Sequence, residues 1–142
     1  MNDVEGLFVG SWSYRSFLND PDLQVAPNDL LFGSGTIQIM SADPAILVGT
    51  IGGPGWQLAL TGSRSYGNPM EIRFQGKGVV GGAEWIYDYV GWLVPAWPNG
   101  VNQKTAMVGS IVRAIPHPTT SPDGKTGTAP AGVVASWYAV KH

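Results

Sequence analysis

The residues best suited to chemistry in this chain fall in one short segment. Asp88 sits between Tyr87 and Tyr89, in a run that also holds Trp85, Ile86, Val90 and Trp92. A carboxylate among such side chains loses hydration, which raises its pKa and suits it to exchange a proton. That makes Asp88 a candidate general base. Two other arrangements fit the same residue: an ion pair with Arg113 or Arg15 on a neighbouring strand, or a position facing water. Glu84 lies on the same face four residues earlier. By strand rise it is about 13 Å away, too far for a glycosidase-type carboxylate pair.

His117 stands between Pro116 and Pro118, so its segment is rigid and extended. It could face a cavity mouth as a base or ligand, although a solvated loop position is the simpler expectation. Tyr87, Arg113 and His117 complete the candidate catalytic set with Asp88, for proton transfer or charge stabilisation. Other chemistries lack their residues. The only other histidine is His142, there is no cysteine, and no H-x-x-H spacing occurs, so no metal site is expected. Gly33-Ser34-Gly35 lacks the spacing of a nucleophile elbow. Gly124-Lys125-Thr126 ends like a phosphate loop, but position 119 is Thr where that loop needs Gly. No dinucleotide fingerprint opens a helix, and no cofactor is expected.

Aromatic density is the strongest peculiarity. Trp85, Tyr87, Tyr89, Trp92 and Trp97 fall within 13 residues, followed by Asn99, Asn102 and Gln103. Tyr and Trp combine apolar bodies with polar tips, which suits orientation of a small ligand. Trp85, Tyr89 and Trp97, with Trp12 and Tyr14 from the first strand, form the candidate ligand-contact set. The competing reading of the same residues is a packed core with an oligomer interface. Single-stranded nucleic acid also stacks on aromatics, but it needs a basic groove. Here 8 basic and 10 acidic residues are scattered, with a net charge of −2, so no nucleic-acid partner is expected.

These side chains must be held by strands. The chain has 142 residues, with 20 Gly and 11 Pro, a load that disfavours long helices. The hydrophobic period is 2 almost throughout. Eight strands are expected, at residues 7–17, 30–40, 45–52, 55–63, 70–78, 83–94, 104–115 and 131–141. The clearest has Met70, Ile72 and Phe74 alternating with Glu71, Arg73 and Gln75. Residues 119–130 read as a polar loop, and a short helical turn fits residues 20–25. Glycines recur inside the strands, Gly33, Gly62, Gly91 and Gly109 among them. Interior glycines weaken a strand unless they serve a bend or a close approach, and barrel closure needs such bends. The reading is an all-β chain, one domain over residues 1–142, folded as an antiparallel eight-stranded up-and-down β-barrel. A β-sandwich is the alternative.

Gly10-Ser11-Trp12 resembles the G-x-W element on the first strand of lipocalin-like barrels. Length and strand count are similar to that calycin group, which includes the avidin-like barrels. The resemblance implies a late basic residue packed over the tryptophan, with Arg113 and Lys141 as candidates. Ala135-Ser136-Trp137 is similar in kind to late avidin strands. The chain departs from lipocalins in lacking cysteines and a clear C-terminal helix. No biotin-site constellation carries over residue by residue, so no ligand is implied.

Low charge bears on assembly. Charged residues make up 13%, against a usual share of roughly 25%. If one face of each strand fills a barrel, Ile86, Val90, Trp92, Val108, Val112, Val134 and Tyr138 lie outside it. Such a patch marks a partner surface, and a homodimer is the simplest expectation. The chain shows no apolar leader and no transmembrane run, so a cytoplasmic location without a membrane partner is expected. The leading functional expectation is binding of a small apolar or aromatic molecule in a barrel cavity. Alternatives are a cofactor-free isomerase or cyclase for a hydrophobic substrate, and a structural subunit with a filled barrel.

Overall fold

The computed structural model describes residues 7–42, 46–65 and 67–142. Its strands are β1 (Gly10–Leu18), β2 (Leu31–Ala42), β3 (Leu47–Gly53), β4 (Trp56–Ser65) and β5 (Glu71–Val80). Then follow β6 (Ala83–Leu93), β7 (Ala106–Arg113), β8 (His117–Thr120), β9 (Thr126–Ala129) and β10 (Val134–Lys141). Eight of them close a barrel in the order β1-β10-β7-β6-β5-β4-β3-β2, every pair antiparallel. Closure excludes the sandwich and leaves the wall without free edges. Each expected strand matches a barrel strand, with ends displaced by three residues at most. The start expected at residue 45 lies outside the described residues.

Two local expectations need correction. Residues 119–130 are not simply loop: β8 and β9 pair as a separate two-stranded hairpin between β7 and β10. Their sequences, HPTT and TGTA, carry almost no apolar alternation, so the period-2 signal is missing. The helical turn falls later than expected, as a short 3-10 turn at Pro27–Leu30 with Pro at its start.

Alternation places the core as the strand pattern requires. In β5, Ile72, Phe74 and Gly76 face inward while Arg73, Gln75 and Lys77 face solvent. In β6, Trp85, Tyr87, Tyr89 and Gly91 point in, and Glu84, Asp88 and Trp92 point out. The wall coils tightly where it must. A Cβ at Gly109 would stand 1.9 Å from the Val90 carbonyl oxygen, so only glycine allows that approach.

The barrel has two unlike ends. Because neighbours are antiparallel, one end collects the C-termini of β1, β3, β5 and β7 and the N-termini of β2, β4, β6 and β10. We call this the upper end, and the β8–β9 hairpin follows β7 there. The lower half is filled: Trp12, Ile39, Leu47, Leu60, Ile72 and Met107 have no solvent exposure. Trp12 donates its indole hydrogen to the Phe8 carbonyl (2.9 Å), and the Lys141 ammonium stands 5.7 Å over its ring. Gly10 has φ of +136°, and a Cβ there would press on Lys141 Cε at 3.0 Å.

Candidate functional site

The upper half of the barrel is hollow. Its floor is an aromatic cluster. Phe74 stacks on Tyr89 at 4.6 Å, and Trp137 lies 6.1 Å from Tyr14 and 6.2 Å from Tyr89, ring to ring. Above it opens a cavity of about 210 Å³. Tyr14, Tyr87, Tyr89 and Trp85 face it from β1 and β6, and Phe32, Gly33, Trp56, Leu58 and Ile111 complete the wall. It is smaller than the roughly 300–1,000 Å³ of a drug-sized site, so it suits a compact molecule.

Two polar groupings interrupt this apolar lining. Within the wall, the Tyr14 and Tyr89 rings meet edge-on with centroids 6.3 Å apart, and each carries a hydroxyl. Burial pushes the Tyr14 phenol up to about 12 and the Tyr89 phenol well above its ordinary value. Removal of water penalises the phenolate, so both present neutral hydroxyls to the cavity.

The second grouping lies at the upper rim. Tyr87 and Arg113 are register partners on β6 and β7, and so share the inner face. Arg113 Nε donates to the Tyr87 oxygen (3.1 Å), and that oxygen lies 2.8 Å from His117 Nε2. His117 Nδ1 lies 3.2 Å from the Pro118 carbonyl, which can only accept. In the neutral imidazole the hydrogen therefore sits on Nδ1, Nε2 accepts from Tyr87, and the Tyr87 oxygen accepts from Arg113. One chain of bonds runs from guanidinium to hydroxyl to imidazole to carbonyl. The His117 ring also stacks on Trp85 at 4.1 Å. The Arg113 guanidinium lies 5.0 Å over the Phe32 ring and 5.8 Å over the Tyr87 ring.

His117 is thus not a solvated loop residue: it is buried at 6% exposure. Its flanking prolines extend the segment, as read from the sequence, but the segment lies back on the barrel rather than in water. Asp88 takes the water-facing arrangement and not the place in the cavity that a general base needs. Its side chain is exposed on the outer wall and accepts a hydrogen bond from Gln75 Nε2 at 3.0 Å. It pairs across the sheet with Val112, not Arg113, so the anticipated ion pair is not made. Arg15 instead donates to the Tyr138 hydroxyl at 2.9 Å. The tyrosines beside Asp88 point in because it points out.

The other sequence candidates divide by position. Tyr87, Arg113 and His117 come together at the upper rim, and Trp85, Tyr89 and Tyr14 surround the cavity. Trp12 lies beneath, in the filled half. Trp97 is 77% exposed and lines a separate hollow of about 650 Å³ beside the β6–β7 connection, at the lower end. Phe32 and Trp56 were not among the expected contacts. Trp56 was legible, because it alternates with Leu58 and Leu60. Phe32 was not, because a register shift between Ser16 and Phe17 displaces the start of β2. Among the described residues no group of three or more His, Asp or Glu could hold a metal ion.

Comparison of the chain with protein-family models, with curated proteins and with solved structures finds no match.

Proposed function

We propose that this barrel binds a small apolar or aromatic molecule in its upper half, with β8–β9 forming part of the rim. The observation that carries this reading is the contrast between the two halves. The lower half is packed solid, and the upper half keeps a cavity of about 210 Å³ walled by aromatic rings. A barrel serving only as a structural subunit gains nothing from that hollow, since unfilled apolar volume costs stability. The lining, mostly apolar with a few fixed hydroxyls, is the usual make-up of a small-molecule site. The calycin-type relationship belongs to this reading too. It is supported by Gly10, Trp12 and Lys141, whose geometry gives each residue of the first-strand motif a packing role.

The test is mass spectrometry of the intact protein purified from its own host, before and after Gly33→Leu. A Cβ at Gly33 meets only ordinary contacts, Ser16 Oγ at 3.5 Å and Tyr14 Cε1 at 3.9 Å, so a longer side chain fits by entering the cavity. The expected result is a retained small molecule that the variant loses. No retained molecule, or equal retention by the variant, overturns the proposal.

A second reading, cofactor-free isomerisation, is favoured by the Arg113–Tyr87–His117 chain. A hydroxyl between a guanidinium donor and an imidazole acceptor is placed to pass a proton to or from a substrate. Incubating the retained molecule with protein in heavy water separates the readings. Deuterium on a ligand carbon, lost in Tyr87→Phe, supports proton transfer; its absence leaves the binder.

A further inference from the structure

The cavity is polar at one side only, and that asymmetry carries information about its occupant. On the floor the Tyr14 and Tyr89 rings meet edge-on, centroids 6.3 Å apart, and bring only neutral hydroxyls. The rim differs. Trp85 lines the cavity, and its indole Nε1 is buried without a hydrogen-bond partner in the protein. A buried N–H of this kind is costly unless an acceptor reaches it. Arg113 extends over the Phe32 and Tyr87 rings, both part of the cavity wall. Its Nε is taken by Tyr87 and one Nη1 hydrogen by the Pro130 carbonyl at 3.2 Å. Among the described residues Nη2 makes no hydrogen bond, and no carboxylate is paired with this guanidinium. Among the described residues no Asp or Glu lines the cavity. A cation thus stands over two rings of an apolar aromatic pocket, and a third wall residue carries an unfilled N–H donor, with no carboxylate beside them among the described residues.

We infer that the molecule held here is an aromatic monocarboxylate, its ring on the Tyr14–Tyr89–Phe32 side and its carboxylate at the rim between Arg113 and the Trp85 indole. This rests on the reading of the cavity as a ligand site and adds the chemical class of the ligand. A planar carboxylate matches the remaining guanidinium edge, and the paired charge strengthens each hydrogen bond. A single cation and one further donor suit one negative charge rather than a phosphate dianion. The cavity volume limits the body to one or two rings.

The test compares naphthoate with its neutral amide, naphthamide, by titration calorimetry on the full-length protein. Naphthoate is expected to bind about tenfold or more tightly. Arg113→Met is expected to erase that difference while naphthamide binding persists. Trp85→Phe keeps a ring against His117 but removes the N–H, and it is expected to weaken both ligands. Equal affinities in the unaltered protein overturn the inference and leave the cavity reading intact. So does a preference that survives Arg113→Met. If Arg113→Met does not fold, the comparison in the unaltered protein decides. Binding of neither compound overturns the inference, and failure to recover any molecule from the native host overturns the cavity reading with it.

Discussion

The Tyr87 hydroxyl lies 2.8 Å from His117 Nε2, joining the barrel wall to a hairpin that begins 30 residues later. This bond and the Trp85–His117 stack are the principal attachments of β8 to the wall. The rest of β8 is exposed. The hairpin is thus anchored by one imidazole at the rim of the cavity, which ties its order to the site.

Replacing His117 with Ala removes both attachments at once. The loss is expected to be about 1–3 kcal/mol, the scale of a buried hydrogen bond with a ring contact. It should appear locally, as faster amide hydrogen exchange across residues 117–129 with the other barrel strands unchanged. Exchange at unchanged rates would show that the hairpin is held by something else.

The Tyr14 phenol sets a limit at high pH. Its value rises from 10.0 to about 12 because burial penalises the phenolate. The protonated form is favoured in the folded chain, so the stabilisation is complete below pH 10.0 and lost as pH rises through about 12. A shift of this size corresponds to on the order of 3 kcal/mol. Denaturant midpoints measured upward from neutral pH should fall in that window, together with the appearance of buried phenolate absorbance. Tyr14→Phe should shrink the fall, with the part due to Tyr89 remaining. An equally steep fall in Tyr14→Phe would assign the effect elsewhere.

Gly91 makes room for Trp137. A Cβ at this position would stand 2.5 Å from Trp137 Cζ2. The indole has little freedom to yield, since Nε1 donates to the Ser110 carbonyl at 3.0 Å and Tyr14, Phe74 and Tyr89 surround the ring. Gly91→Ala is expected to cost about 1–3 kcal/mol by overpacking. Trp137→Phe in the same chain should recover part of that loss, which thermal unfolding of the single and double variants would measure. No recovery would place the strain in the backbone rather than the ring.

The strand rhythm made the barrel legible, and for a physical reason. Each wall strand buries one face, so Trp56, Leu58 and Leu60 or Ile72 and Phe74 alternate without help from the rest of the fold. The interior glycines were legible as close approaches because nothing else tolerates the space at Gly109. The orientation of β6 was harder to read. Both of its faces are apolar, and the carboxylate flanked by tyrosines drew attention to Asp88, although period 2 puts a residue and its neighbours on opposite sides. The burial of His117 was hidden as well. It depends on a hairpin with no hydrophobic pattern and on a contact with Tyr87 distant in sequence. The choice of Lys141 over Arg113 as the cation on Trp12 required the register, which seats Lys141 opposite Trp12.

The same alternation leaves an apolar strip outside the barrel. Val108 pairs with Trp92 on one side and Tyr138 on the other, and Val112 pairs with Val134. Trp92, Val108 and Val134 are 37%, 44% and 49% exposed, on three neighbouring strands. Two copies related by a twofold axis would bury this strip against itself, since an isologous contact needs only one self-complementary patch. Specific interfaces take roughly 800 Å² per partner, an area that adjoining side chains on β6, β7 and β10 would have to supply. The expected solution mass is therefore that of a dimer. Trp92→Asp sets a charge in the strip without touching the cavity, and it should give a folded monomer by sedimentation equilibrium. Unaltered protein that sediments as a monomer at every concentration overturns the assignment. A Trp92→Asp protein that remains dimeric would move the interface to another face.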